Sequence, residues 1–249
     1  MERRKKDYMG RYYPESRFGG FTEVDGTIAF YTRVRSLLDP AAVVLDVGCG
    51  RGAYAQDAVR VRSDLRVCQG RCKRVIGIDV DRQAAENPFL DEFRLIEGDR
   101  WPVEDGSITM ALCDDVLEHI EQPEQFFSEC RRTIRPGGYL CLRTSNALNY
   151  ISLFARLIPN RLHTTVLDKV LYAKRKHQDT FPTVYRCNTI RRTRKMLDRY
   201  GFEHCVYGYE AEPYHLGFSR LAYLCGVLHQ RLAPGFLKAT IFAFAKRRA

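Results

Sequence analysis

The stretch Ala42-Val43-Val44-Leu45-Asp46-Val47-Gly48-Cys49-Gly50-Arg51-Gly52 decides how the rest of the chain is read. Residues 42–46 form a short, largely β-branched apolar run that closes on an acid, and glycines follow directly. A continuous apolar run of this kind belongs to a strand buried on both faces, as in a parallel sheet. Glycines just past it let the backbone come close to a ligand, because no Cβ holds the ligand off. Three similar runs follow: Arg74 to Asp79, Phe93 to Asp99, and Ile108 to Cys113, the last closing on Asp114-Asp115. Asp46, Asp79, Asp99 and Asp114 therefore fall at or just past successive strand ends.

Between and after these runs the period changes. Residues 53–61 read as a helix. Pro123 to Ile134 places Phe126, Phe127, Cys130 and Ile134 on one side and stops at Arg135-Pro136-Gly137-Gly138, where proline cannot extend a helix. Tyr139 to Arg143 is a fifth strand. Asn188 to Tyr200 is an amphipathic helix ended by Gly201, Phe202 to Tyr209 a strand, Phe218 to Leu232 a helix, and Phe236 to Phe244 a last strand. Alternation of strand and helix predicts an α/β fold: a Rossmann-like, doubly wound, mostly parallel seven-stranded sheet with helices on both faces. Ligands of such sheets bind beyond the carboxyl ends of the strands. Residues Val59 to Lys73, rich in arginine, are expected to form a surface loop without chemistry.

The chain has 249 residues, 45% hydrophobic and 28% charged, enough for one sizeable core. One domain is expected over 1–249. Within it, 1–40 form a basic tail and cap helix, 41–145 a ligand-binding core, 146–190 an acceptor-recognition insertion, and 191–249 the rest of the sheet. Residues 151–249 hold eighteen basic against six acidic residues, +12, whereas 18–150 sum to −5. The basic part is expected to face something anionic or to serve as a solvated face. No secretory signal or membrane span is read. Nine scattered cysteines suggest free thiols in a reducing compartment, hence the cytoplasm, with a peripheral contact at the inner membrane face as a variant. The lone Cys68/Cys72 pair is not read as a zinc site, and no metal is expected.

Gly48-x-Gly50-x-x-Ala53 also satisfies the dinucleotide fingerprint. The strand-end acids argue against it, since carboxylates suit the ammonium and sulfonium of S-adenosylmethionine better than a pyrophosphate. Residues 44–52, Ile76-Gly77-Ile78-Asp79-Val80-Asp81, and Glu97-Gly98-Asp99 with Trp101-Pro102 resemble the ordered motifs of class I S-adenosylmethionine-dependent methyltransferases. Asp114-Asp115-Val116-Leu117-Glu118-His119-Ile120, followed by Arg135-Pro136-Gly137-Gly138, resembles the signature of their type 11 branch. The resemblance covers about residues 40 to 145. It implies Gly48 and Gly50 at the methionine moiety, Asp79 at the ribose, Asp99 at the adenine amino group, and Asp46 at the cofactor's amino group through water. Arg100 and Trp101 would flank the adenine, with Cys49, Val80 and Asp114 as further cofactor-side candidates.

The acceptor side is less specified. Asp115, Glu118 and His119 stand at i, i+3 and i+4 and would share a face if a helix began there. His119 is the candidate base and Asp115 its companion; the cluster also resembles the acid-x-x-Glu-His arrangement that holds a divalent metal in some ubiquinone-pathway and RNA 2′-O-methyltransferases, and bracing of the next helix is the other alternative. Asn146, Tyr150, His177, Tyr185 and Arg186 are candidate acceptor contacts. The expected acceptor is a hydroxyl of a glycan, glycolipid or sugar phosphate, with anionic character. A small molecule or lipid quinone is the alternative, and RNA is less favoured because the basic run Arg191 to Lys195 lies on a helix whose apolar side faces inward.

Overall fold

The computed structural model describes residues 8–150 and 182–249. Seven strands form one sheet: β1 (Val43–Val47), β2 (Arg74–Asp79), β3 (Glu92–Leu95), β4 (Ile108–Asp114), β5 (Ile134–Ser145), β6 (Phe202–Tyr209) and β7 (Thr240–Arg247). Their order is β3-β2-β1-β4-β5-β7-β6. Strands β1 to β5 pair in parallel, and β7 runs antiparallel to both β5 and β6. The order reverses beside β1, so the switch point lies where the glycine loop leaves that strand.

The described α-helices are α1 (Met9–Tyr12), α2 (Gly26–Leu37), α3 (Arg60–Arg66), α4 (Pro123–Thr133), α5 (Ile190–Arg199) and α6 (Arg220–Leu232). Strand alternation sends neighbouring side chains to opposite faces. Met110 and Leu112 of β4 meet Phe30, Tyr31 and Val34 of α2 on one face. Ala111 and Cys113 meet Phe126, Phe127 and Cys130 of α4 and Leu197 of α5 on the other. Both faces of the central strand are thus dry, which is why residues 110–113 are all apolar.

Local signals fix the helix ends. The Asp25 carboxylate accepts from Thr27 and Ile28 N–H at 2.9 Å each, an N-cap worth about 1 kcal/mol. Thr189 caps α5 through Arg192 N–H, and Gly201 ends it with φ 73°.

Three expectations are corrected. The helix read over 53–61 is a 3₁₀ turn, Ala53–Gln56, because the loop from Gly52 enters it from a left-handed conformation. The loop expected over Val59–Lys73 contains α3, ordered because Arg62 pairs with Asp25 and Asp57 while Arg66 pairs with Asp114. The last strand is β7 at 240–247, preceded by a 3₁₀ turn, Gly235–Leu237.

Candidate active site

Beyond the carboxyl ends of β1, β2 and β4 lies a cavity of about 670 Å³. The glycine loop forms its floor. Gly48, Gly50 and Gly52 have φ of 65°, 51° and 70°, a left-handed backbone that disfavours side chains. A Cβ on Gly48 would also come within 2.5 Å of Val116 Cγ2. Asp79 braces the loop, accepting from Gly50 N–H at 3.0 Å and from Asp81 N–H at 2.9 Å. Asn87, fully inside the protein, donates to the Cys49 and Gly50 carbonyls at 3.0 and 3.2 Å. Arg51 reaches Asp81 at 3.1 Å.

Of the residues singled out from sequence, Gly48, Cys49, Gly50, Asp79, Val80, Trp101, Asp115 and His119 line this cavity. Trp101 does two things: its ring faces the cavity and packs edge-on against Phe126 at 5.6 Å in the core. Its backbone N–H donates to Glu129 at 2.8 Å, which holds the main chain behind the ring.

Four cofactor-side candidates stand elsewhere. Asp46 sits below the loop rather than in the cavity wall, and burial, then the charge of Asp114, push its carboxyl up to about 7. Asp114 is taken up by the protein itself. It accepts from Tyr31 Oη at 2.8 Å, Arg66 Nη2 at 2.9 Å, Arg143 Nη2 at 2.7 Å and Arg143 Nε. Burial opposes its charge, yet Arg143 in front of the others holds it below the usual carboxylate range. Asp99 is exposed, outside the cavity wall, and its carbonyl accepts from Gln125. Arg100 is exposed and turned to Asp105 at 3.0 Å.

The end of the cavity past β4 centres on the 3₁₀ turn Leu117–His119. Asp115 before it has φ 56°, so no helix begins there and Asp115, Glu118 and His119 do not share a helical face as expected. Glu118 turns inward, accepting from Thr144 Oγ1 at 2.7 Å and Ser145 Oγ at 3.3 Å. Asn188 donates to the same Thr144 hydroxyl at 2.7 Å. The returning chain is stitched to this turn: Val184 and Tyr185 N–H donate to the Glu118 carbonyl at 2.8 and 3.2 Å. His119 Nδ1 lies 2.9 Å from the Pro182 carbonyl. A carbonyl only accepts, so Nδ1 carries the proton and the neutral ring keeps its lone pair on Nε2. Asp115 opens half-exposed onto the cavity, 3.9 Å from Arg143 Nη2.

The acceptor contacts expected from sequence are not gathered here. Asn146 is buried and committed to backbone: it donates to the Phe236 and Lys238 carbonyls at 2.9 and 2.8 Å and accepts from Leu148 N–H. It ties β5 to the entry of β7, which corrects its expected role. Tyr150 instead meets His215 Nε2 at 2.7 Å and the His229 ring at 4.7 Å. Tyr185 has φ 50°, a turn residue, and Arg186 is exposed with its carbonyl held by Arg192. His177 lies outside the described residues. Sequence reading missed Asn87, Tyr31, Arg66 and Arg143. An arginine inside the fifth apolar run was the one available signal, since a buried cation requires a partner.

No group of three or more His, Cys, Asp or Glu side chains suited to a metal occurs among the described residues. Nor is any helix among them long and apolar enough to cross a membrane.

Residues 45–142 match the family model described as methyltransferase domain. The similarity of this part of the chain is to the type 11 branch of the class I S-adenosylmethionine-dependent methyltransferases. A probable S-adenosylmethionine-dependent methyltransferase of Mycolicibacterium smegmatis is 33% identical over 112 residues, 43% of this chain and 39% of that protein. A ubiquinone biosynthesis O-methyltransferase of Acinetobacter baumannii is 30% identical over 130 residues, 48% of this chain and 54% of that protein. The match thus spans about half or less of either relative. The crystal structure of a SAM-dependent methyltransferase from Archaeoglobus fulgidus superposes with a TM-score of 0.56 at 16% identity, covering 97% of this chain and all of that one; it shares the fold.

Proposed function

We propose that the protein is an O-methyltransferase that methylates a hydroxyl of a small acceptor, with His119 as general base. The observation that carries this reading is the His119–Pro182 hydrogen bond at 2.9 Å in a residue that lines the cavity. It favours the tautomer with the proton on Nδ1 and the basic lone pair on Nε2. S-adenosylmethionine, when bound, supplies an electrophilic methyl group on a sulfonium. The residues present fit it: the left-handed glycines admit its methionine part, Asp79 offers a carboxylate to ribose hydroxyls, and Trp101 and Ile96 offer an apolar wall to the base. A volume of about 670 Å³ is in the range of a site that holds a small ligand.

The acceptor oxygen loses a proton as it gains a methyl, and His119 Nε2 is the atom that receives that proton. Val116 and Ile120, flanking the turn that carries His119, give this end apolar walls, which favours an acceptor with an aromatic or aliphatic body. The oxygen specificity named for the Acinetobacter relative supports the same reaction type. For the narrower glycan or sugar-phosphate acceptor, Asn146 is spent on backbone and Arg186 stands outside the cavity wall, so neither supplies the expected grip.

The test is transfer of labelled methyl to a panel of phenols, hydroxyquinones and sugar phosphates, comparing parent with His119→Ala. The reading expects an ether product and a loss of turnover of roughly 10²–10⁴-fold in the variant, with cofactor binding retained. A methylated nitrogen or carbon, or an unchanged variant, would overturn it.

A further inference from the structure

Helix α6, Arg220–Leu232, is apolar on two opposite sides. Its inner side is seated firmly. Tyr223 stacks on the rings of Tyr8 and Tyr12 at 5.7 Å each, Val227 is buried beside it, and Gly226 lies so close to Pro213 that a Cβ would come within 2.5 Å. The opposite side carries Leu221, Leu224, Leu228 and Leu232, 70%, 36%, 49% and 76% exposed. At 100° per residue these four fall within one stripe, about 17 Å long. Exposed Phe218 and Phe236 stand just beyond its ends, and Phe18, 83% exposed, follows the α1 segment that packs under the helix. A helix apolar all round is normally buried, so a stripe of leucines in water marks a contact surface.

Charge says what the contact is. The sequence of α6 contains arginines at 220 and 231 and no acid, and the adjoining N-terminal segment adds exposed Arg11 and Arg17 against one acid, Glu15. None of the four is ion-paired among the described residues. Two copies meeting through this stripe would bring like charges together at both ends. An apolar stripe flanked by arginines instead suits a surface that is oily inside and negative outside. We propose that the outer face of α6 binds the surface of an anionic phospholipid membrane, inserting its leucines among the acyl chains while the arginines meet the headgroups. This inference does not rest on the identity of the acceptor: α6 lies apart from the cavity wall.

The experiment is co-sedimentation of the full chain with vesicles of pure phosphatidylcholine and of phosphatidylcholine with 30% phosphatidylglycerol. Parent, Leu221→Ser/Leu228→Ser and Arg220→Gln/Arg231→Gln are compared. All substituted residues are exposed, and binding of S-adenosylhomocysteine serves as the check that each variant is folded. We expect the parent to pellet with the anionic vesicles at least tenfold more than with neutral ones. The leucine variant should stay in solution, and the arginine variant should lose the preference for negative charge. Failure of the parent to pellet would overturn the proposal, as would pelleting unaffected by the leucine substitutions. So would a concentration-dependent dimer, abolished by those substitutions, in a protein that ignores vesicles.

Discussion

The two halves of the cavity are built by different means. On the cofactor side the functional groups are mostly backbone: three left-handed glycines, N–H groups held by Asp79, and carbonyls held by Asn87. On the acceptor side they are side chains set by long-range stitches, such as His119 to Pro182 and Glu118 to Thr144, Ser145 and the returning chain at 184–185. A backbone site needs particular residue types at particular places in one short stretch. A stitched site draws on segments dozens of residues apart, and many sequences could make it. Motif patterns therefore identify the first and leave the second open.

The ion network beneath both halves should give the largest effect. Arg143 is 9% exposed at its side chain and faces Asp114, which Arg66 also holds. Arg143→Met leaves a buried carboxylate with less compensation and should cost about 3–5 kcal/mol of stability. Denaturant unfolding would read this as a lower midpoint at unchanged slope. A loss below about 1 kcal/mol would show that Arg66 and Tyr31 suffice, and that the two halves do not share this support.

Next comes the backbone of the cofactor side. Gly48→Ala forces a side chain into left-handed backbone and against Val116 Cγ2. It should weaken S-adenosylhomocysteine binding by about 1–3 kcal/mol. Val116→Ala in the same chain should restore part of that loss, because it removes the clash and leaves the strained φ. No restoration would place the cost in the backbone alone.

The smallest effect is a pH slope. Asp46, pushed up to about 7 by burial and then by Asp114, favours the folded state only while protonated. That contribution is complete below about pH 4 and is lost as pH rises towards 7. Glu210, also raised to about 7 by burial, has the same sign. Asp114 has the opposite one: its stabilisation is present above about pH 4 and fades only in stronger acid. Between pH 5 and 7 the Asp46 and Glu210 contributions should therefore lower thermal stability, against an opposite, rising contribution from His215, whose imidazole burial lowers to about 4. Asp46→Asn should flatten part of that slope by a few degrees. An identical slope in the variant would show that Asp46 is already ionised across the range.

The same contrast explains how much could be read in advance. Strands β1, β2 and β4 were legible because burial on both faces leaves an unbroken apolar run, and the glycine loop because left-handed backbone selects glycine. Helix α3 was not, because its ordering comes from Arg62 and Arg66 reaching acids on α2 and β4, contacts that no local pattern encodes. Asp114 was read as a ligand contact because strand-end acids commonly are. Its partner Arg143 lies in an apolar run on the next strand, and only pairing across the sheet brings them together. Asn146 likewise has a side chain suited to binding hydroxyls, but the fold surrounds it with main-chain carbonyls.

The account rests on the cofactor half, and Asp79 is where sequence and geometry meet most closely: it ends β2, lines the cavity and orients the glycine loop. The direct measurement is calorimetric titration of parent and Asp79→Ala with S-adenosylhomocysteine, and of the parent with nicotinamide dinucleotide. The account predicts one-to-one binding of S-adenosylhomocysteine, weaker by about 2–3 kcal/mol in the variant, and no heat from the dinucleotide. Dinucleotide binding by a parent that ignores S-adenosylhomocysteine would contradict it.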